Sequence, residues 1–268
     1  MVAPCRYARR TVYSIRNDIM DSPCFYRFFE KLLFRSSYVV TNSMKVLHQY
    51  SRYFKSSKRH IIRNIYNGFD VGKFLFAFPP PVSEKMILGT VGRQAVPKNQ
   101  IQILKAVDSV IKLYPLHFYL IGDKHQNMAL ENESYVRERN LDNDVTILDS
   151  VSAIENYYRC FNIFILSSVN ESCPNVLFEA MLSKCLCIVS TGSNSDHFIV
   201  DGLNGLVYDG SLMMLEEKIV QAISMVRTGA HFGLVEEGQK YANANFSLNR
   251  MISEYKELYY ELIKDNSK

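Results

Sequence analysis

FNIFILSSVNESCPNVLFEAMLSKCLCIVS, residues Phe161 to Ser190, carries the alternation from which the architecture of this chain can be read. Its apolar run Phe161 to Leu166 is short and rich in β-branched and aromatic residues. Ser167, Ser168 and Asn170 follow, which is how a fully buried strand enters a loop. Pro174 suits a first helical turn, where its missing N–H is not wanted, and Val176, Leu177, Ala180 and Met181 recur at helical spacing. A second strand, Leu186 to Ser190, closes a strand–helix–strand unit of the kind that builds parallel sheets. The predicted fold class is α/β.

Two carboxylates frame this unit, Glu171 in the loop at the carboxyl end of the first strand and Glu179 on the helix. Ligands of open α/β sheets bind at such loops, and the free N–H groups of a helix start, here Asn175, Val176 and Leu177, favour a phosphate. A carboxylate within one and a half turns can chelate a ribose diol beside it. The residues leave a plainer alternative open, in which both acids are solvated helix-end charges. The wording ESCPNVLFEAM, Glu, seven residues, Glu, resembles the donor-site signature of the family 4 retaining glycosyltransferases with the GT-B fold. That resemblance implies a nucleotide-diphosphate sugar as donor substrate, Glu171 at the sugar and Glu179 on the ribose. It also implies a site that needs no metal and no further cofactor.

Upstream, Met86 to Val91 reads as a strand opening into Gly92, Arg93, a loop, Lys98 and a helix from about Asn99 to Leu113. Val107, Val110, Ile111 and Tyr114 line one face of that helix. Two fixed cations at the carboxyl end of a strand can neutralise a diphosphate that gathers charge as its sugar leaves; a lone Arg or Lys is more often a surface residue. The segment LGTVGRQAVPKNQIQILKAV resembles the family's strand, GR, loop, K, helix signature. The resemblance places Arg93 and Lys98 with Glu171 in the catalytic set, and Gly92 with Glu179, Asn175, Val176 and Leu177 in the donor-binding set. Leu116 to Ile121 is another buried strand; it ends at Gly122-Asp123, similar to the family's Gly-rich turn, with Lys124 where a second glycine is common. Gly122 joins the donor-binding set on that likeness.

The first third of the chain offers a strand at Thr11 to Ile15 and a helical repeat of Phe25, Phe28, Phe29, Leu32 and Leu33. A strand at Tyr38 to Thr41 and an N-cap at Asn42 or Ser43 follow. The next elements are a helix carrying Val46, Leu47 and Tyr50, a strand at His60 to Tyr66, and an Asn67-Gly68 turn. TVYSIRND, YVVTNS and IIRNIYNGFDVGKF resemble the end of the family's N-terminal domain and its hinge. The family's earlier βα units, with their Gly-rich loop, have no counterpart before Thr11, so a fragment, or a partner chain supplying the rest, is expected. Three domains of the sequence follow: 1–67 as a partial N-terminal, acceptor-side Rossmann-like domain, 68–245 as a complete Rossmann-like nucleotide-sugar-binding domain, and 246–268 as a terminal helix returning to the N-terminal part.

Beyond Ser190, the loop STGSNSDHFIVDGLNG has Gly192 and Ser193 where the family has a Gly-Gly turn, and Asp196-His197 at its acidic position. Leu206 to Tyr208 reads as a short strand and Leu212 to Val226 as a helix. Asp142-Asn143-Asp144 spells an Asp, any, Asp pattern but precedes the strand Val145 to Leu148, where such residues favour a turn rather than a metal. His117 and His125 each stand alone and read as core or surface residues.

With 268 residues, 47% of them hydrophobic, the chain has ample material for a core. A net charge of +4 suits a diphosphate or an anionic membrane surface, not a nucleic-acid partner. Six cysteines without metal-ligand spacing fit a reducing cytosol. No run approaches a membrane span, so the expected location is cytoplasmic, with peripheral contact at the inner face of a membrane allowed. The functional expectation is transfer of a sugar to a hydroxyl of a glycan or lipid-linked acceptor, with retention, in polysaccharide or glycolipid assembly. Its rivals are a non-catalytic or split-enzyme nucleotide-sugar-binding subunit and a sugar-nucleotide epimerase on the same fold.

Overall fold

The computed structural model describes residues 12–16, 38–53, 62–124 and 126–265. The chain divides into two compact units, Met1–Phe69 with Asn245–Lys268, and Asp70–Ala244. In chain order the elements are β1 (Val12–Ile15), β2 (Tyr38–Thr41), α1 (Met44–Tyr53), β3 (Ile62–Asn64), β4 (Met86–Val91), α2 (Gln100–Val110), β5 (Leu116–Ile121), α3 (Gln126–Glu138) and β6 (Val145–Leu148). They continue with α4 (Glu155–Tyr158), β7 (Ile163–Leu166), α5 (Asn175–Leu182), β8 (Leu186–Ser190), β9 (Leu206–Tyr208), α6 (Leu212–Thr228), α7 (Phe232–Asn245) and α8 (Leu248–Asp265).

In the first unit β1, β2 and β3 form a parallel sheet in that order. One face buries Ile15 and Val39 against Val46 and Tyr50 of α1. The other buries Val40 and Ile65 against Leu258 and Leu262 of α8, with Arg63 paired to Glu261 at 2.6 Å. The spacing of these leucines follows from the 3.6-residue period that the sequence shows. Asn67-Gly68 is not the turn its composition predicts. Gly68 instead lets α8 approach, for a Cβ there would lie 2.7 Å from Met251 Cβ. The expected helix around Phe25 to Leu33 lies outside the described residues.

The second unit is a six-stranded, wholly parallel sheet in the order β6-β5-β4-β7-β8-β9. β7 and β8 are buried at every position, as expected of strands covered on both faces. Leu88, Phe118, Ile163, Ile188 and Leu206 share the main core with α2 and α6. The opposite face carries an aromatic cluster of Phe74, Tyr158, Phe161 and Phe164. Gly89 is the residue that admits Phe161, since a Cβ would lie 2.4 Å from its ring.

Strand order reverses between β4 and β7: the chain steps outward from β4 through β5 and β6, then returns to continue from β7 to β9. At such a reversal the loops leaving the two strands diverge and open a crevice at their carboxyl ends. Those loops are 92–99 and 167–174.

Some boundaries moved for local reasons. α2 stops at Val110, short of Leu113, where the last turn tightens and Leu113 N–H donates to Val110 O at 3.0 Å. Asn162, just before β7, bonds through its backbone to Ile87 O and Leu186 N–H, while its side-chain Oδ1 accepts from Ile87 N–H at 2.9 Å and its Nδ2 donates to Pro81 O at 3.0 Å, which fixes the proline run. Asp144 sits in the predicted turn and accepts from Lys85 Nζ at 2.9 Å. Three helices, α3, α4 and α7, have no counterpart among the sequence-based expectations.

Candidate functional site

β4 is followed at once by Gly92, and its loop closes in a single 3-10 turn, Val96–Lys98, before Asn99 takes a left-handed conformation (φ 51) and starts α2. Asn tolerates that geometry better than other non-glycine residues. The turn is stitched to the loop after β7. Val169 N–H donates to Pro97 O at 2.9 Å, and Ser167 Oγ donates to the carbonyls of Lys98 and Asn99 at 2.8 and 3.0 Å. So fixed, Lys98 reaches across the crevice and its ammonium donates to Glu171 Oε1. The Glu171 side chain is 13% exposed and that of Lys98 27%, a sheltered pair rather than two solvated surface charges.

Glu171 is held from three further directions. Ser168 Oγ donates to the same Oε1 at 2.8 Å, Glu171 N–H donates to Gly192 O at 3.2 Å, and Ser195 Oγ donates to Glu171 O at 2.5 Å. The loop after β8 is therefore part of the site. Gly192 is required where it stands, because a Cβ would lie 2.2 Å from Val169 O. Buried hydroxyls complete the scaffold: Ser190 Oγ donates to Ser168 O at 2.7 Å, and Ser193 Oγ lies 3.0 Å from Leu166 O and 3.1 Å from Ser168 O. Sequence reasoning took none of Ser168, Ser190, Ser193 and Ser195 as site residues. The available signal was the density of small hydroxyl residues at the ends of two adjacent buried strands.

Glu179 lies on α5, and its Oε2 accepts from Tyr158 OH at 3.0 Å. Burial pushes its carboxyl above the usual glutamate range, and the Tyr158 hydroxyl partly opposes that shift. The phenol is itself held well above its ordinary value, first by burial and then by the neighbouring Glu179 charge. At the start of α5, Asn175 is exposed and Val176 half-buried. Leu177 departs from expectation: it is buried, and its N–H donates to Pro174 O at 3.0 Å, so it offers no free donor. Pro174 stands just before the helix and turns its carbonyl back onto that N–H.

Gly92 and Gly122, the residues just after the neighbouring strands β4 and β5, meet. Gly122 has φ 151, and a Cβ on it would lie 2.2 Å from Gly92 O. The buried side chains of Gln94 and Gln100 bind these turns, with Gln94 Nε2 donating to Gly122 O at 3.3 Å and Gln100 Nε2 to Gly92 O at 3.2 Å and Arg93 O at 3.1 Å. Arg93 projects from this braced turn as an exposed side chain that makes no ion pair among the described residues. The structure thus joins Lys98 directly to Glu171 and Gly92 to Gly122. Among the described residues no hydrogen bond links Arg93 or Glu179 to the Lys98–Glu171 pair. Nor does any group of three or more His, Cys, Asp or Glu side chains there converge so as to hold a metal ion.

Residues 85–225, just over half of the chain and the stretch that holds this entire site, match the sequence profile of the family Glycosyl transferases group 1. The chain belongs to the group 1 glycosyltransferases. Among its relatives, the UDP-Gal:alpha-D-GlcNAc-diphosphoundecaprenol alpha-1,3-galactosyltransferase of Escherichia coli is 24% identical over 214 residues, 74% of this chain and 53% of that protein. The chain thus spans about half the length of this curated relative. A glycosyltransferase structure from Rickettsia africae ESF-5 superposes with a TM-score of 0.82 at 21% identity, covering 94% of this chain and 70% of that one. The Anabaena protein Alr3699/HepE, solved in complex with UDP and glucose, gives 0.75 at 18% identity over 92% and 70%. The α/β, GT-B-type fold read from the sequence is the fold found.

Proposed function

We propose that this group 1 glycosyltransferase chain binds a nucleotide-diphosphate sugar in the crevice between the β4 and β7 loops and serves retaining sugar transfer of the family 4 type. The observation that carries the reading is the sheltered Lys98–Glu171 pair at the strand-order reversal, inside the family-matched region. A pyrophosphate entering there meets the Lys98 ammonium and the exposed Arg93 guanidinium, and the start of α5 at Asn175 and Val176 adds a positive helix end. Gly92 and Gly122 keep the backbone low enough for close approach.

In this reading Glu179 accepts hydrogen bonds from the ribose diol, and Glu171, released as Lys98 turns to the diphosphate, faces the sugar. The C1–O bond to the diphosphate breaks while a bond from the acceptor hydroxyl oxygen forms on the same face, and the hydroxyl proton passes to the departing diphosphate. Lys98 and Arg93 stabilise the charge that builds on the leaving diphosphate, and Glu171 the positive charge on the ring. These two fixed cations take the part a divalent ion would play, so chelation with EDTA leaves the rate unchanged. The name of the Escherichia coli relative supports a lipid-linked acceptor, and the HepE complex supports a uridine donor. An acceptor of that kind places the work at the cytoplasmic face of a membrane; no helix among the described residues is long and apolar enough to cross one.

The test is incubation with a panel of nucleotide sugars and glycan or lipid-linked acceptors, with the anomeric configuration of the product read by NMR. A product with the donor's configuration, lost on Lys98→Ala, supports the reading. An inverted product overturns retention. Binding without transfer assigns the chain as a donor-binding module whose acceptor site lies on another polypeptide.

A further inference from the structure

Tyr158 belongs to neither family signature in this sequence, yet it is the one described side chain whose hydroxyl contacts the Glu179 carboxylate. It is fully buried. Its ring is wedged between Phe74, Phe161 and Phe164, with centroid distances of 5.7, 5.8 and 5.8 Å, and its own carbonyl accepts from Cys185 Sγ at 3.4 Å. The side chain is immobilised by packing before any hydrogen bond forms, so the bond costs no further rotamer entropy. The single phenol proton has two acceptors in reach, Glu179 Oε2 at 3.0 Å and Val176 O at 3.2 Å. A bond to an ionised carboxylate is the stronger of the two, so the proton goes to Oε2 whenever Glu179 is charged. That leaves Oε1, which has no donor among the described residues, as the acceptor left over for a ligand.

We propose that Tyr158 is a positioning residue for nucleotide recognition: its buried hydroxyl pins Oε2 of Glu179, so that the carboxylate stays charged, in one orientation, and presents Oε1 to the ribose diol of a ribonucleoside diphosphate. The inference rests on the donor-site reading above and adds a requirement to it. A buried carboxylate without such a donor would protonate or rotate, and either change removes the fixed acceptor that distinguishes a ribose from a 2′-deoxyribose.

Calorimetric titration of the full chain with UDP, GDP and ADP and their 2′-deoxy counterparts tests this. Wild type is expected to favour the best-bound ribonucleotide over its deoxy form by about tenfold or more, the worth of a hydrogen bond to a charged group. Tyr158→Phe keeps the ring and its packing while deleting only the hydroxyl; its thermal midpoint should stay within a few degrees of wild type, and the ribo-to-deoxy ratio should fall toward one with deoxy affinity nearly unchanged. Glu179→Gln should lower the ratio likewise, and the double variant should lower it no further. An unchanged ratio in Tyr158→Phe, or equal loss of ribo and deoxy affinity, overturns the inference while leaving the donor site standing. Equal binding of both sugars by wild type removes the ribose role of Glu179 and this inference with it, and no binding of any diphosphate overturns the donor-site reading itself.

Discussion

The Lys98 ammonium and the Glu171 Oε1 atom form an ion pair that spans two loops leaving adjacent strands of the sheet. Because the pair is sheltered and Ser168 donates to the same oxygen, Lys98 is not a spare surface charge; it is a cation already committed to an internal anion. Any phosphate that takes Lys98 must therefore compete with Glu171.

That competition separates binding from turnover. Glu171→Ala frees Lys98 and should tighten nucleoside diphosphate binding by a few-fold, while transfer falls by roughly two to three orders of magnitude through loss of transition-state charge stabilisation. Calorimetry and a transfer assay on the same preparation check both halves. Weaker diphosphate binding in Glu171→Ala would show that the carboxylate holds Lys98 in place for the ligand instead of competing with it.

The two glycines at the strand ends should respond differently to the same substitution. Gly122→Ala brings a Cβ within 2.2 Å of Gly92 O, a backbone atom that cannot swing away, and should cost about 3 kcal/mol or more. Gly92→Ala meets nothing within 4 Å and pays only for its φ of 154°, about 1 to 2 kcal/mol. Urea denaturation of the two variants measures the difference.

Glu179 carries a cost in stability that depends on pH. Its folded carboxyl titrates above the usual glutamate range because of burial, so the folded state holds the proton more tightly than the unfolded chain. The stability this contributes is full below the unfolded value and is lost as pH rises through the folded one. Glu179→Gln, which keeps an oxygen for Tyr158 and removes the charge, should therefore raise the thermal midpoint at pH 7 more than at pH 4, while weakening nucleotide binding. Thermal unfolding at the two pH values shows the sign; a larger gain at pH 4 would contradict it.

The parts of the fold that were legible in the sequence are those where period and punctuation agree. β4, β5, β7 and β8 are short, mostly apolar runs, because helices cover both faces of their sheet, and Glu171 and the GR…K segment follow the carboxyl ends of β7 and β4. α3 and α7 were hidden because they bury little: α7 contributes Val235, Gly238 and Ala242, too small and sparse a stripe to stand out from its polar residues. The serine scaffold around Glu171 was hidden for another reason, since a hydroxyl reveals no partner until distant loops are brought together. Leu177 N–H was misread as free because the sequence does not show which way the Pro174 carbonyl turns. Tyr158 looked like core, and it is core; only its hydroxyl, directed at Glu179, carries more than packing.

The measurement that bears most directly on the donor crevice is the thermal midpoint of the chain with and without UDP, GDP and ADP, for wild type, Lys98→Ala and Glu179→Ala. At a hundredfold excess over Kd, a ligand that binds only the folded state adds about 2.7 kcal/mol. For a unit of this size that is a rise of roughly 5 to 10 °C. The account predicts such a rise for at least one diphosphate with wild type, its loss in Lys98→Ala, and a rise about half as large in Glu179→Ala, whose missing ribose bond costs about tenfold in affinity. No rise with any of the three, or an equal rise in wild type and both variants, would contradict it.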